Sequence, residues 1–165
     1  MNRYAQSFRE LIVYQKSRKV ADSIFKLSKD FPKEELYSLT DQIRRSSRSI
    51  GAQIAEAWGK RRYIRHFLAK LTDADAEQLE TQHWVDVCYG CKYLNDEQAS
   101  NLLHDLEEIG KMLHSMMTKA EAFCSENSTD VHEEHDEYFR SLTDHWSPIL
   151  HTAYWAYCLL LTEFY

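Results

Sequence analysis

The residue types best suited to chemistry are cations. Arg44, Arg45 and Arg48 fall close together, and Lys60, Arg61, Arg62 and Arg65 follow a short way on. Nucleic-acid phosphates are held by exposed cations, and aromatic rings stack on unpaired bases. Tyr63 lies inside the second group and is available for stacking. On a helix, Arg44 and Arg48 are four residues apart and share a face. The competing fate for these cations is ion pairing with Asp73, Asp75, Glu77 and Glu80 or with a neighbouring subunit.

Other constellations are incomplete. A di-iron bundle needs Glu-x-x-His on two helices and a Glu on each of two others. Glu80-Thr81-Gln82-His83 is one such motif, but His66, His104 and His114 have no Glu three residues earlier. Cys88-Tyr89-Gly90-Cys91 is a lone C-x-x-C. Structural zinc wants four ligands, and a redox pair normally opens a helix after a strand. Here the pair falls where a helical pattern ends, which predicts two small half-buried residues. Cys124 and Cys158 complete the cysteines. His132 and His135 stand in a carboxylate run that reads as solvated, and H-E-x-x-H is absent. There is no glycine-rich phosphate loop and no G-x-S-x-G. These absences predict a non-enzymatic chain with no metal and no cofactor.

The elements that must position the cations are helices. Four glycines and two prolines are too few for the turns of an all-β fold. Apolar residues recur at three- and four-residue steps in four segments, near 8–27, 37–58, 63–89 and 96–123. The first has Leu11, Tyr14, Ala21, Ile24, Phe25 and Ser28 as its stripe, a capping box from Ser7 to Glu10, and an end at Phe31-Pro32. The second has Leu39, Ile43, Ile50, Ile54 and Ala57, with small residues around Gly51 that predict close helix approach. Gly59 is its expected stop. The third, about 40 Å long at 1.5 Å per residue, has Phe67, Leu71, Ala74, Leu79, Trp84, Val85 and Cys88 and ends at Gly90. The fourth is capped by Asn95 or Asp96, and Gly110 within it marks another close approach. Short connectors between long helices predict an all-α, antiparallel up-down-up-down four-helix bundle over residues 1–127. Residues 128–165 form an acidic linker and an apolar C-terminal segment, Ile149 to Leu161, expected to be helical and to pack on a bundle.

The net charge of −6 is unevenly spread. Residues 1–70 hold 16 Lys/Arg against 7 Asp/Glu, a balance of +9; residues 71–127 hold 3 against 12, or −9; residues 128–165 hold 1 against 7, or −6. One basic face and one acidic face are expected. No uncharged apolar run reaches the ~18 residues of a membrane span, and the N-terminus has no signal-peptide core. A cytoplasmic protein without a membrane partner is the expectation.

Asp41-Gln42-Ile43-Arg44-Arg45-Ser46-Ser47-Arg48-Ser49-Ile50-Gly51-Ala52-Gln53-Ile54-Ala55-Glu56 resembles the signature of a bacterial four-helix-bundle family. That family includes proteins encoded by intervening sequences of 23S ribosomal RNA genes and accessory proteins of diversity-generating retroelements. Further matches follow in order: Phe8 to Gln15, Ala76 to Gln82, and Glu107 to Leu113. The resemblance covers residues 5–123. It implies a homo-oligomer, typically a pentamer, without known enzymatic activity. Its retroelement branch implies binding to a reverse transcriptase and to RNA or DNA. Family members usually read Asn-Ile-Ala-Glu-Gly where this chain has Gln53-Ile54-Ala55-Glu56-Ala57, and the retroelement proteins tend to be strongly basic, whereas this chain is acidic. Two roles are therefore expected: an oligomeric scaffold using the Arg44–Arg65 surface for a protein or nucleoprotein partner, or a structural or selfish-element protein with no nucleic-acid binding.

Overall fold

The structure, a computed structural model, describes residues 5–124. The expectations for the linker and the apolar segment within 128–165 lie outside the described residues. The described part is an all-α bundle of four long helices: α1 (Ile12–Leu27), α2 (Leu39–Lys60), α3 (Ile64–Gly90) and α4 (Asp96–Thr118), followed by a single turn, α5 (Ala120–Phe123). Helix α2 packs against α1 and α3, and α4 packs against α3 and α1. The α1–α2 seam runs from Ser17 beside Gly51 to Ser28 beside Arg44. The α2–α3 seam runs from Lys70 on Gln53 to Thr81 on Ser46. In both seams the pairings proceed in opposite senses along the two helices.

The N-terminal signal at Ser7 is used differently from expectation. Ser7 accepts the Arg9 N–H at 3.3 Å, and Glu10 accepts the Gln6 N–H at 3.0 Å. They close a 3-10 turn, Phe8–Glu10, and not the first turn of α1. Leu11, in extended conformation, breaks the chain before α1 begins. At the far end, a second 3-10 turn over Ser28–Asp30 precedes extended Phe31. Of the two caps expected for α4, the structure uses Asn95, which makes a full capping box with Gln98. Gly59 is not a stop: α2 continues through it to Lys60. α3 does end at Gly90, but the left-handed residue of that turn is Lys92, at φ 61°.

The core register of α1 also departs from expectation. Val13, Ser17, Val20 and Ile24 face inward, while Phe25 remains 41% exposed. On α3, Leu79 is 57% exposed and its neighbours Gln78 and Thr81 are buried instead. Polar side chains are therefore set within a mainly apolar core. The hydroxyls of Thr81 and Ser46 meet at 3.0 Å, and the Gln78 side-chain amide donates to the Leu106 carbonyl at 3.0 Å. Ser46, Gln78 and Thr81 thus each have a partner, as burial requires, whereas the buried Thr40 hydroxyl has none among the described residues. Two glycines mark close helix approaches, Gly51 beside Ser17 and Gly110 beside Gln78. A Cβ on Gly51 would stand 3.2 Å from Ser17 Oγ, and one on Gly110 would stand 3.2 Å from Gln78 Oε1. Helix approach at these two points is as close as the sequence predicts. Lys16 of α1, hydrogen-bonded to Glu108 and 3.9 Å from Asp105, ties α1 to α4.

Candidate interaction surface

The seven candidate cations do not form one patch. Arg48 and Lys60 are separated by about 18 Å along α2, at 1.5 Å per residue. The first group itself divides. Arg44 and Arg48 lean toward α1, while Arg45 leaves toward α3.

The α1 side is organised by Phe25. The Arg44 guanidinium lies 5.2 Å from the ring centroid, that of Arg48 5.5 Å, and the Lys29 ammonium 5.0 Å. The electron-rich face of an aromatic ring attracts cations at this range. Helical spacing explains the convergence: Phe25 and Lys29 are four apart on α1, and Arg44 and Arg48 four apart on the facing helix. Arg44 is also fixed by Ser28, whose hydroxyl oxygen accepts its Nε–H at 2.7 Å. None of these three cations meets a carboxylate among the described residues, where the ion pairs lie elsewhere.

Beside this cluster runs a groove of about 360 Å³ between α1 and α2. Its lining includes the aromatic wall residues Phe8, Tyr14 and Phe25, the small residues Gly51, Ala52 and Ala55, and the cations Arg18 and Arg48. Asp22 is the one carboxylate in the lining.

The second group surrounds the α2–α3 turn. The Arg61 guanidinium stacks 4.1 Å over Trp58 and donates to the Trp58 carbonyl at 2.7 Å. Arg62 lies 5.7 Å over Tyr63, whose ring in turn contacts His66 at 5.5 Å. Lys60 and Arg65 are exposed. None of the four pairs with a carboxylate among the described residues.

Intramolecular neutralisation by α3 is thus slight. Arg45 is the only one of the seven to reach a described carboxylate, Glu80, at 3.6 Å. Asp73 is engaged by Lys70, which also holds Glu56. Burial, reinforced by the neighbouring Glu80, raises the pKa of Glu77 above the ordinary carboxylate range.

The remaining motifs take no part in a site. Glu80 accepts the Trp84 indole N–H at 3.1 Å, and exposed His83 contacts the Trp84 ring edge-on. The Glu80–His83 pair therefore sits at the outer side of α3, away from the interior where a di-iron site would be built. Cys88 is fully buried and Cys91 exposed, both as free thiols, so the two are not the similar half-buried pair that the sequence predicts. Burial, with Cys91 and Glu35 nearby, pushes the Cys88 pKa up to about 12. Among the described residues no three His, Cys, Asp or Glu side chains gather as metal ligands. No described helix is long and apolar enough to cross a membrane.

Sequence reasoning missed Phe25 and Lys29 as parts of the surface. The signal was available in the spacing: if Val13, Val20 and Ile24 form the core stripe, Phe25 is rotated about 100° away from Ile24.

Residues 9–115 match the pattern of a family described as 23S rRNA-intervening sequence protein. A solved structure from Bacteroides thetaiotaomicron VPI-5482, described as a protein with unknown function from the S23 ribosomal protein family, is 33% identical. It aligns with a TM-score of 0.59 over 65% of this chain and 96% of that one. No curated protein matches the chain.

Proposed function

The chain belongs to the 23S rRNA-intervening sequence protein family, and we propose that it is a non-enzymatic, homo-oligomeric scaffold or accessory protein that binds a nucleoprotein partner through its cationic surfaces. The observation that carries this reading is the scarcity of internal counter-charge: of Arg44, Arg45, Arg48, Lys60, Arg61, Arg62 and Arg65, only Arg45 reaches a described carboxylate. Exposed cations beside aromatic rings match the requirements of phosphate contact and base stacking. The partner class is RNA or DNA, alone or on a protein such as a retroelement reverse transcriptase. The resemblance of residues Asp41–Glu56 to the signature of a family that includes retroelement accessory proteins supports that partner and a pentameric assembly.

The charge split favours a second reading. A chain that is +9 over residues 1–70 and −9 over 71–127 can place the basic surface of one subunit on the acidic surface of the next. A head-to-tail contact of this kind closes into a ring when the rotation allows. The protein would then be structural, with its cations consumed between subunits.

Light scattering at low and high salt, with and without RNA, separates the two. The first reading predicts a stable oligomer that retains RNA at low salt, and loss of retention with the oligomer intact when Arg44, Arg45 and Arg48 are changed to Glu. The second predicts that the same changes dissociate the oligomer and that the wild-type assembly retains no RNA.

A further inference from the structure

Resting on the nucleic-acid reading above, we propose that the α1–α2 groove beside Phe25 receives an unpaired base of single-stranded nucleic acid, with Lys29, Arg44 and Arg48 on the flanking phosphates. Three observations converge there. Phe25 leaves 41% of its surface exposed although large aromatic rings usually bury. Its ring is the common neighbour of three cations within 5.5 Å, none paired with a described carboxylate. The adjoining groove, at about 360 Å³, falls in the roughly 300–1,000 Å³ range of ligand clefts.

The polarity of the groove sorts the parts of a nucleotide. Asp22 stands in the lining as a hydrogen-bond acceptor, beside the cations Arg18 and Arg48. A base offers it N–H donors and offers the aromatic wall a π-face. The phosphates meet Arg48 at the groove and Arg44 on its flank, where Ser28 holds the Arg44 guanidinium in place. A base paired within a duplex is already stacked and does not reach such a slot without being flipped out, so single strands are the fitting class. A phosphopeptide would use the arginines, but it would leave the aromatic wall without a role.

The test compares fluorescence anisotropy of three labelled probes with the full-length chain: a single-stranded oligonucleotide, an abasic strand of equal length, and a duplex. Phe25→Leu preserves bulk and removes the stacking face; circular dichroism checks that the bundle remains. The expected result is that Phe25→Leu weakens the base-bearing strand by roughly five- to a hundredfold, the range for one lost stacked base. The abasic strand should be unaffected by the change, and Phe25→Trp should bind the base-bearing strand as tightly as wild type. Equal affinity of wild type for the base-bearing and abasic strands, a preference for the duplex, or displacement of the strand by a phosphopeptide at lower concentration overturns the base slot and leaves the cationic surface standing. No binding of any nucleic-acid probe by wild type overturns both the slot and the reading on which it rests.

Discussion

Arg45 Nη2 stands 3.6 Å from a carboxylate oxygen of Glu80, and this contact alone joins the α2 cations to the acidic edge of α3. Its neighbours Arg44 and Arg48 turn the other way, toward Phe25. One helix thus presents its arginines to two different surroundings, one supplied with a carboxylate and one not.

The Arg45–Glu80 pair should add little to stability. Arg45 is 61% exposed and Glu80 36%, and exposed pairs typically contribute about 0.2–1 kcal/mol. A double-mutant cycle with Arg45→Met and Glu80→Gln, read by urea unfolding, should give a coupling within that range, and 0.5 M salt should reduce it. A coupling of several kcal/mol would show that α3 neutralises α2 far more than the geometry implies.

Gln78 and Gly110 should be energetically coupled. In a helix Gly→Ala gains about 1 kcal/mol from propensity. A Cβ at Gly110, however, would lie 3.2 Å from Gln78 Oε1, which the Leu106 hydrogen bond holds in place. Gly110→Ala should therefore be more favourable on a Gln78→Ala background than in wild type. Gln78→Ala alone should cost about 1–3 kcal/mol through the lost buried hydrogen bond and the void. Strict additivity in chemical denaturation would refute the close contact.

Cys88 should impose an alkaline limit on stability. Its folded pKa is raised from 9.0 to about 12 by burial, so above pH 9 the unfolded chain loses a proton that the folded chain keeps. Stability from this group is complete below pH 9 and declines as pH rises toward 12. Cys88→Ala should flatten that part of the unfolding free-energy profile. In thiol titration of the native protein at pH 8, exposed Cys91 should react readily and Cys88 only after unfolding.

The helices were legible because long amphipathic periods and an N-cap residue such as Asn95 are local signals. Fine registers were not, because tertiary contacts chose between overlapping patterns. In α1, hydropathy favours Phe25 over Ser17 for the interior. Ser17 is nevertheless buried, because α2 comes so near at Gly51 that only a small side chain fits between. Gln78 and Thr81 are buried in place of Leu79 for a related reason: their partners, Leu106 and Ser46, lie on other helices. Gly59 failed as a stop because glycine permits a helix end without requiring one. The cations of the surface were readable as residues. Their division around Phe25 on one side and Trp58 on the other became visible only when α1 was placed against α2.

The central claim is that the cations around Phe25 are free to meet phosphates, and the salt dependence of RNA binding tests it most directly. For a single strand, log K falls with log salt by about 0.7 for each phosphate engaged. Wild type should give a linear decline, and Arg44→Gln with Arg48→Gln should shrink the slope by about 1.4 while the bundle stays folded. A slope that is unchanged in the double variant, or absent in wild type, would contradict the account.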